Sequence, residues 1–238
     1  MIKKLEWDTI WFKKKIGALV SDEFSKDMLI SDLEEAKREQ YKYIICHLKS
    51  PQPETINLLE NQNFYLSDIS IIWNMSVGDY LSRLRTTELD SHAKTSEALV
   101  KDIPELQEMI KPMFPNSRFY SDPFFSHEEA DNLHVVWIKN SVLGKAADLA
   151  LQIPGKGFVT CKKKENKVGE VILIGVKGEF RGKNLGKVLM NSSVEWFSNN
   201  GIKTIKIKTQ LKNIPAMNFY RKLGFSIDGY EMTFSYVM

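Results

Sequence analysis

The chain has few of the residues that define disulfide-rich or metal-binding proteins. Two of its 238 residues are cysteines, Cys46 and Cys161. They are far apart in sequence, so neither a disulfide framework nor a cysteine-based zinc motif is expected. The four histidines share no metal-ligand spacing, so we expect them in solvated or core positions and expect no metal in the protein. They are His47, His92, His127 and His134.

Long apolar runs and a large excess of charge are also missing. The longest apolar runs have the length of strands, so we expect no membrane-spanning segment. Thirty-three basic and 30 acidic residues give a net charge of +3, which is too small to indicate nucleic-acid binding. Residues 1–8 carry charges and no apolar core, so we expect no signal peptide. The scarcity of cysteine favours the reducing cytoplasm.

The most informative stretch runs from Glu170 to Gly186. An apolar run, Val171–Val176, leads into a basic turn with glycines, and a helical pattern follows. A strand–turn–helix of this kind directs backbone N–H groups and the positive end of a helix dipole at one point. Arg181 and its basic neighbours add charge there. The stretch therefore predicts a phosphate-binding turn, with an ordinary basic helix start as the alternative.

A second motif begins at Asn213, after a predicted strand at 202–210 whose side chains alternate between apolar and polar. Asn213 suits a helix N-cap, Pro215 suits a first turn, and Gly224 suits a C-terminal stop. These residues predict a helix between Asn213 and Gly224.

Together the two motifs resemble those of the GCN5-related N-acetyltransferases (GNAT), which bind acyl-coenzyme A. Residues 181–186 are similar to the pyrophosphate loop of that family. Residues 213–225 match its pattern Asn-x-x-Ala-x-x-x-Tyr-x-x-x-Gly-Phe at every fixed position. The resemblance implies an α/β fold with a mixed, mostly antiparallel central sheet and flanking helices. It also implies acetyl-CoA as the acetyl donor.

The resemblance assigns roles to particular residues. Backbone groups of a splayed strand would hold the thioester and pantetheine, with Gly175 suiting a bulge or a close backbone approach. Tyr220 would protonate the leaving thiolate, although a core aromatic role is the alternative. Asn213 would contact pantetheine or cap its helix. The donor-binding residues implied are Ile174, Gly175, Val176, Arg181, Gly182, Lys183, Asn184, Leu185, Gly186, Lys187 and Asn213.

One position departs from the family pattern. The family usually has glycine where this chain has Asn184. Asparagine is the residue that best tolerates positive φ after glycine, so we expect coenzyme A binding to survive. The departure leaves open a chain that has kept the fold and lost turnover.

A weak internal repeat precedes these motifs. A shift of 161 residues carries 41–77 onto 202–238 without a gap. Before it, a strand at 15–20 and a helix at 26–40 are predicted, but the turn at 21–24 is acidic and Leu59 replaces Tyr220. Chance agreement between two α/β segments is the alternative.

We predict three parts: a degenerate GNAT-like half-domain at 1–77, a linker or crossover at 78–101, and a catalytic domain at 102–238. Asp102 with Glu105 predicts a capping box and a helix to about residue 112. A helix at 127–143 and a hairpin at 148–163 are predicted further along the chain.

The acceptor is suggested by a resemblance to one branch of the family. Residues 5–12, 116–120 and 137–142 resemble the TDP-fucosamine N-acetyltransferases, which acetylate the 4-amino group of a nucleotide-linked deoxysugar. Residues 114–125 carry five aromatic residues and two prolines and should line a pocket or pack beneath the sheet. Candidate substrate-binding residues there are Arg118 (as a phosphate-binding fork), Phe119 and Tyr120.

Several alternatives stay open. The acceptor is a dTDP-linked amino-deoxysugar, another small amine or a protein N-terminus, or else the protein is a non-catalytic coenzyme A-binding module. No motif identifies the general base that takes the proton of the acceptor amine. Asp68, as a base or water-orienting residue, and Asp8 are the candidates, with ordinary solvated carboxylates as the alternative. The sequence leaves the oligomeric state open, a homodimer included. We also expect a chain beginning near Ser96 to keep coenzyme A binding and lose acceptor turnover.

Overall fold

The computed structural model describes residues 1–20, 25–84, 93–111 and 113–238. The predicted acidic turn at 21–24 and part of the predicted linker, 85–92, lie outside the described residues. Within them the strands are β1 (Ile2–Lys4), β2 (Ile16–Leu19), β3 (Tyr43–Lys49), β4 (Tyr65–Ser76), β5 (Ser96–Glu97), β6 (Leu149–Ile153), β7 (Gly157–Lys163), β8 (Val168–Val176), β9 (Thr204–Gln210) and β10 (Ser226–Val237).

Helices flank the sheet. They are α1 (Glu6–Phe12), α2 (Lys26–Arg38), α3 (Pro53–Asn61), α4 (Val77–Leu84), α5 (Ile103–Ile110), α6 (Arg118–Ser121), α7 (His127–Val142), α8 (Leu185–Asn199) and α9 (Ile214–Leu223). Helix α9 shows how the local sequence sets such bounds. The Asn213 side chain accepts a hydrogen bond from the Ala216 N–H at 3.2 Å, and Gly224 ends the helix at φ 89°. Both predicted caps are confirmed.

The strands form one mixed sheet in the order β1-β2-β3-β10-β4-β9-β8-β7-β6-β5. Among the described strands, β2 with β3 and β8 with β9 are the parallel pairs, and the other neighbours are antiparallel. The predicted α/β class with a mostly antiparallel sheet is confirmed. In the part of the chain that the structure describes, no helix is long and apolar enough to cross a membrane.

The two halves of the chain exchange their last strands. Strand β10 lies between β3 and β4, and β4 lies between β10 and β9. The neighbour of β9 in the second half is therefore a strand from residues 65–76. The sequence pattern contains no sign of this exchange.

The spacing of 161 residues recurs in this arrangement. It carries Tyr43–Lys49 of β3 onto Thr204–Gln210 of β9, and it carries β4 onto β10. The cross-strand pairs follow the same spacing. Lys49 of β3 pairs with Glu231 of β10, and their equivalents Gln210 of β9 and Ser70 of β4 also pair with each other. Strands β3 and β4 are thus related to β9 and β10 by an approximate two-fold arrangement. The division into three domains stays a prediction, because one continuous sheet runs through both halves.

The largest hydrophobic cluster also crosses the predicted boundary. Trp73, Met75, Val77 and Tyr80 from the first half pack with the apolar faces of α8, α9, β8 and β9. A chain beginning near Ser96 would lose these side chains and the strand beside β9. We therefore replace the expectation that such a chain keeps coenzyme A binding, and expect it not to fold.

Helix α4 opens the stretch predicted to be a linker or crossover, and its Val77 and Tyr80 are buried. One local prediction was wrong. The predicted capping box of Asp102 with Glu105 is not formed. The Asp102 carboxylate instead accepts from the Leu99 N–H at 2.8 Å and from the Gln152 side chain at 2.7 Å.

Candidate functional site

Strands β8 and β9 separate part-way along their length. Their parallel pairing runs from Val168 with Thr204 to Val171 with Ile207. Beyond that point β8 continues to Val176 and β9 to Gln210, with no pairing between them in the described structure. Backbone groups of β8 beyond Val171 therefore face an opening instead of a neighbouring strand on that side.

A bulge accompanies this separation. The register between β7 and β8 shifts after Val171, and the Leu173 N–H donates to Thr160 Oγ1 at 3.2 Å. The predicted bulge at Gly175 was wrong, because Gly175 pairs regularly with Phe158. A Cβ added at Gly175 would lie 2.6 Å from Met113 Sδ, so the Met113 side chain would have to shift to admit another residue.

A cleft of about 370 Å³ opens where the strands separate. Its walls come from both halves of the chain: from β8, β9 and α9 on one side, and from α1, β3, β4 and β10 on the other. The aromatic segment 114–119 and α7 close it. The residues that line the cleft include Asp8, His47, Asp68, Ser70, Phe114, Arg118, Phe119, His134, Ile174, Lys208, Asn213, Tyr220, Glu231 and Thr233.

The predicted phosphate-binding turn lies at the end of β8. Gly182 and Asn184 both take left-handed conformations, with φ of 76° and 58°, and α8 begins immediately after Asn184. Asn184 therefore occupies the conformation for which the family uses glycine. The Arg181 Nε–H donates to the Val176 carbonyl oxygen at 3.1 Å, which ties the turn to the open end of β8. Residues 181–184 are exposed, so the turn and the first N–H groups of α8 are available to an anion.

Close packing brings the turn and Tyr220 together. A Cβ at Gly186 would meet the Phe219 ring at 3.1 Å, so the glycine allows the first turn of α8 to pack against α9. Tyr220, the next residue on α9, is 5 % exposed and packs on Trp73 at 6.1 Å between ring centroids. Its side chain lines the cleft.

The Tyr220 hydroxyl is kept protonated. Burial raises the pKa of Tyr220 above its usual value of 10.0. No side chain or backbone group among residues 1–20, 25–84, 93–111 and 113–238 forms a hydrogen bond with this hydroxyl. A protonated phenol at the wall of the cleft can donate to a developing anion.

The aromatic segment contributes Arg118 and Phe119 to the cleft, but not Tyr120. The Arg118 guanidinium lies over the Phe119 ring at 4.0 Å and donates to the Tyr43 hydroxyl at 3.3 Å. Tyr120 turns away, and its hydroxyl donates to Asp131. The interpretation of Tyr120 as a residue that contacts substrate therefore has no support from its position.

A buried carboxylate holds the aromatic segment on the sheet. Asp122, 2 % exposed, accepts from the hydroxyls of Tyr43 at 2.5 Å and Tyr65 at 2.7 Å. These bonds join α6 to β3 and β4, and they fix the position from which Arg118 enters the cleft.

Three carboxylates line the wall that α1, β4 and β10 form. Burial raises the pKa of Asp68, and Ser70 Oγ donates to it at 3.1 Å and partly offsets that effect. Burial also raises the pKa of Asp8. Burial acts in the same direction on Glu231, but bonds from His47 at 3.2 Å and Lys208 at 2.8 Å outweigh it and hold the pKa of Glu231 at about 2.

Several lining residues were missed by sequence reasoning. His47, which is exposed, and His134, which is buried, occupy the solvated and core positions expected of histidines here, but both also border the cleft. The remaining missed residues are Ser70, Lys208, Glu231 and Thr233. A signal existed in the polar residues that interrupt otherwise apolar strands, but the strand exchange that gathers them is a long-range pairing. No group of three or more His, Cys, Asp or Glu residues suited to a metal occurs in the described chain.

Comparison with known proteins assigns the class. Residues 103–225, just over half of the chain, match the model of the Acetyltransferase (GNAT) family. The chain therefore belongs to the acetyltransferase (GNAT) family, and the resemblance inferred from the two motifs is confirmed.

Individual relatives are distant. The chain is 25 % identical over 130 residues to the spore coat polysaccharide biosynthesis protein SpsD of Bacillus subtilis, covering 53 % of this chain and 45 % of that protein. It is 24 % identical over 132 residues to the dTDP-fucosamine acetyltransferase of Escherichia coli O6:H1, covering 53 % and 56 %. The aligned region thus spans about half the length of each of these curated relatives.

A solved tandem GNAT protein from the clavulanic acid biosynthesis pathway has a similar fold. It superposes with a TM-score of 0.60 at 10 % identity, covering 89 % of this chain and 69 % of that one. At this identity the likeness concerns the fold alone.

Proposed function

We propose that this protein transfers the acetyl group of acetyl-CoA to the 4-amino group of a dTDP-linked amino-deoxysugar. The observation that carries the proposal is the opening between β8 and β9. The open segment of β8 and the buried Tyr220 border this cleft, and the left-handed turn at 182–184 follows directly after β8. Acetyl transfer needs a site for a thioester, a site for pyrophosphate and a proton for a leaving thiolate, and these three features meet those needs.

The donor side of the mechanism follows from β8 and the turn. The N–H groups of the open segment around Ile174 to Val176 would hold the thioester carbonyl. Donors aimed at a developing oxyanion are worth about 3 kcal/mol each in other acyl transfers. Arg181, Lys183 and the first N–H groups of α8 would bind the pyrophosphate. Asn213, which caps α9 and lines the cleft, would contact pantetheine.

Tyr220 would act as the general acid. The leaving sulfur carries negative charge as its bond to carbon breaks, and a protonated hydroxyl beside it shortens the life of that charge. Burial keeps this phenol protonated at neutral pH. The absence of a competing hydrogen-bond partner among the described residues leaves its proton available.

The acceptor side combines unpaired charges of both signs. The Asp68 and Asp8 carboxylates have no salt-bridge partner in the described chain, and the same holds for Arg118. An acceptor with both an ammonium and an anionic group fits this set: Asp68 would hold the amine or the water that deprotonates it, and Arg118 would bind phosphate. The printed name of the E. coli relative, a dTDP-fucosamine acetyltransferase, supports a sugar nucleotide.

Two alternatives have specific support. Another small zwitterionic amine fits the same charges. A protein N-terminus fits less well, because it requires an open groove and the aromatic segment closes this cleft. A non-catalytic coenzyme A-binding module is compatible with Asn184, but it leaves the free hydroxyl of Tyr220 without a role.

A thiol-release screen tests the proposal. Acetyl-CoA is incubated with the protein and a panel of amines that includes dTDP-linked 4-amino-6-deoxyhexoses, the same sugars without the nucleotide, amino acids and short peptides. We expect the nucleotide-linked sugars to be the best acceptors by kcat/KM. Faster turnover of an amino acid or peptide would transfer the proposal to that class. No thiol release with any amine, despite acetyl-CoA binding, would favour the non-catalytic module.

A further inference from the structure

His134 on α7 is a buried ring that borders the cleft. It is 2 % exposed, and it lies between the parallel rings of Phe114, at 5.4 Å, and Tyr120, at 5.9 Å. Trp137 meets it edge-on at 5.5 Å. Three aromatic neighbours therefore fix both the position and the orientation of the imidazole.

One hydrogen bond determines the tautomer of this ring. Nδ1 lies 2.7 Å from the carbonyl oxygen of Ala130. A carbonyl oxygen accepts and never donates, so Nδ1 carries the proton, and the neutral ring has its lone pair on Nε2. No donor among residues 1–20, 25–84, 93–111 and 113–238 reaches Nε2. Nε2 thus has no partner in the described structure, and the ring that carries it lines the cleft.

The surroundings keep the ring neutral. Burial lowers the pKa of His134, and the bond to Ala130 and the charge of Asp131 offset this only in part. The titratable groups that face the ring are Asp131 on its own helix and Tyr120 on α6, whose hydroxyl donates to Asp131. The charged residues Asp68, Arg118, Lys208 and Glu231 line the same cleft as the ring. At pH 7 the imidazole is therefore in the form that accepts a proton.

Two successive ring contacts connect His134 to the strand that pairs with the open segment of β8. Phe114, which stacks on His134, lies 6.5 Å from the Phe158 ring. Phe158 is the cross-strand partner of Gly175, within the segment of β8 that faces the opening. His134 and Ile174 of this open segment both line the cleft.

We infer that His134 Nε2 accepts the proton that the acceptor amine loses during acetyl transfer, an inference that rests on the proposed function. The amine nitrogen forms a bond to the thioester carbon, and the carbon–sulfur bond breaks. Nε2 takes a proton from the nitrogen, and Tyr220 gives its proton to the sulfur. The products are an amide and a free thiol. The imidazolium and the phenolate then return to their starting forms by proton exchange with solvent.

Substitution of His134→Asn separates this role from packing. The Asn amide nitrogen can keep the bond to the Ala130 carbonyl, but no atom replaces Nε2. With the best acceptor of the screen, we expect kcat to fall roughly 10²-fold, the usual scale for a lost general base. His127→Asn is the matched control, because His127 lies on the same helix, is exposed and does not line the cleft. We expect the control to keep the unmutated rate.

The dependence of kcat on pH distinguishes a base from a packing residue more directly. In the unmutated protein kcat should fall as the pH falls through the lowered pKa of His134, because the protonated ring cannot accept a proton. This acid limb should be missing from His134→Asn, whose thermal stabilisation by acetyl-CoA should be unchanged. An acid limb that persists in His134→Asn, or an unaltered kcat, would overturn the inference and leave His134 as a core ring.

A ¹⁵N NMR spectrum tests the inference without turnover. The chain has four histidines, so single substitutions assign each imidazole. We expect the His134 signal to show a protonated Nδ1 and an unprotonated Nε2 at pH 7. A neutral ring protonated on Nε2 would overturn the inference even if the protein is an active acetyltransferase. Failure of the proposed function itself would appear separately, as a lack of thiol release with every amine.

Discussion

The two halves of this molecule share a strand–helix–strand–helix–strand frame and differ in the connection between its first strand and first helix. In the second half, residues 172–184 connect the last parallel pair of β8 and β9 to the start of α8, and they form the open strand segment and the left-handed turn. In the first half, the last pair of β2 and β3 is Leu19 with Cys46, and residues 20–25 are all that separate it from α2. Thirteen residues in one half correspond to six in the other.

This difference shows where the chemistry of the family lies. The shared strands and helices supply a sheet and a core, and they are retained in both halves. The residues proposed to bind the donor belong to the longer connection and to α9. At the position of Tyr220 the first half has Leu59, which is fully buried. The first half supplies Asp8, His47 and Asp68 to the cleft instead, on the side where we propose that the acceptor binds.

The largest effect is expected from removing a side chain that the first half contributes to the core of the second half. Trp73 lies on β4 but is 3 % exposed in the core formed with α8 and α9. We expect Trp73→Ala to lower the free energy of unfolding by about 3–5 kcal/mol, the usual cost of removing a buried aromatic side chain. Denaturant titration measures it. Trp7→Ala is the control, since Trp7 is 41 % exposed. Equal losses for the two variants would show that β4 is not part of the second-half core.

The second prediction concerns catalysis in the second half. We expect Tyr220→Phe to lower kcat roughly 10²-fold, because the general acid is lost while the ring and its packing are kept. Its affinity for acetyl-CoA should stay nearly unchanged. Tyr41→Phe is the control, a buried tyrosine in the core of the first half, and should retain full activity. Full activity in Tyr220→Phe would return Tyr220 to a core aromatic role.

The third prediction concerns the carboxylate that the first half supplies. Burial raises the pKa of Asp68 above its unfolded value, so its ionised form destabilises the native state. The cost is absent below the unfolded pKa and appears as the pH rises through the folded pKa. Asp68→Asn should therefore raise the melting temperature at pH 7, and this gain should shrink in acid.

The same Asp68→Asn substitution should lower kcat about 10-fold, since its neutral amide cannot hold the amino group of the acceptor as well. Asp79→Asn, at an exposed position on α4, should change neither quantity. Normal turnover and an unaltered pH profile in Asp68→Asn would remove Asp68 from the mechanism.

The smallest effect is expected from replacing an asparagine that has positive φ, and a second asparagine of the same kind serves as the control. Asn184 in the turn and Asn63 at the end of α3 have φ of 58° and 62°. Asn184→Gly should tighten acetyl-CoA binding roughly threefold, because glycine adopts this conformation without strain and lets the backbone approach the pyrophosphate. Asn63→Gly should leave binding unchanged. Weaker binding in Asn184→Gly would mean that the asparagine side chain itself contacts the ligand.

Local patterns predicted much of the second half. The caps of α9, the hairpin of β6 and β7, and the start of α7 each depend on residues close in sequence. Ser126 and Glu129, for example, form a reciprocal capping box at the start of α7. The turn and Tyr220 were recognised through motifs of the same short range.

Long-range features were not predictable in this way. An alternating strand pattern shows that β4 and β9 each bury a face, but it does not name their partners. The strand exchange decides that His47 of β3, Lys208 of β9 and Glu231 of β10 meet in one cleft. The role inferred for His134 depends on a ring stack and one hydrogen bond, and neither leaves a mark in the spacing of residues.

The central claim is that the shared frame carries one donor site, in the second half. Calorimetric titration with acetyl-CoA tests it most directly. We predict one bound molecule per chain. Arg181→Glu should abolish binding, and Lys26→Glu, the same charge change at the start of the first-half helix α2, should leave it intact. Two molecules per chain, or one whose binding survives Arg181→Glu and is lost in Lys26→Glu, would contradict the account.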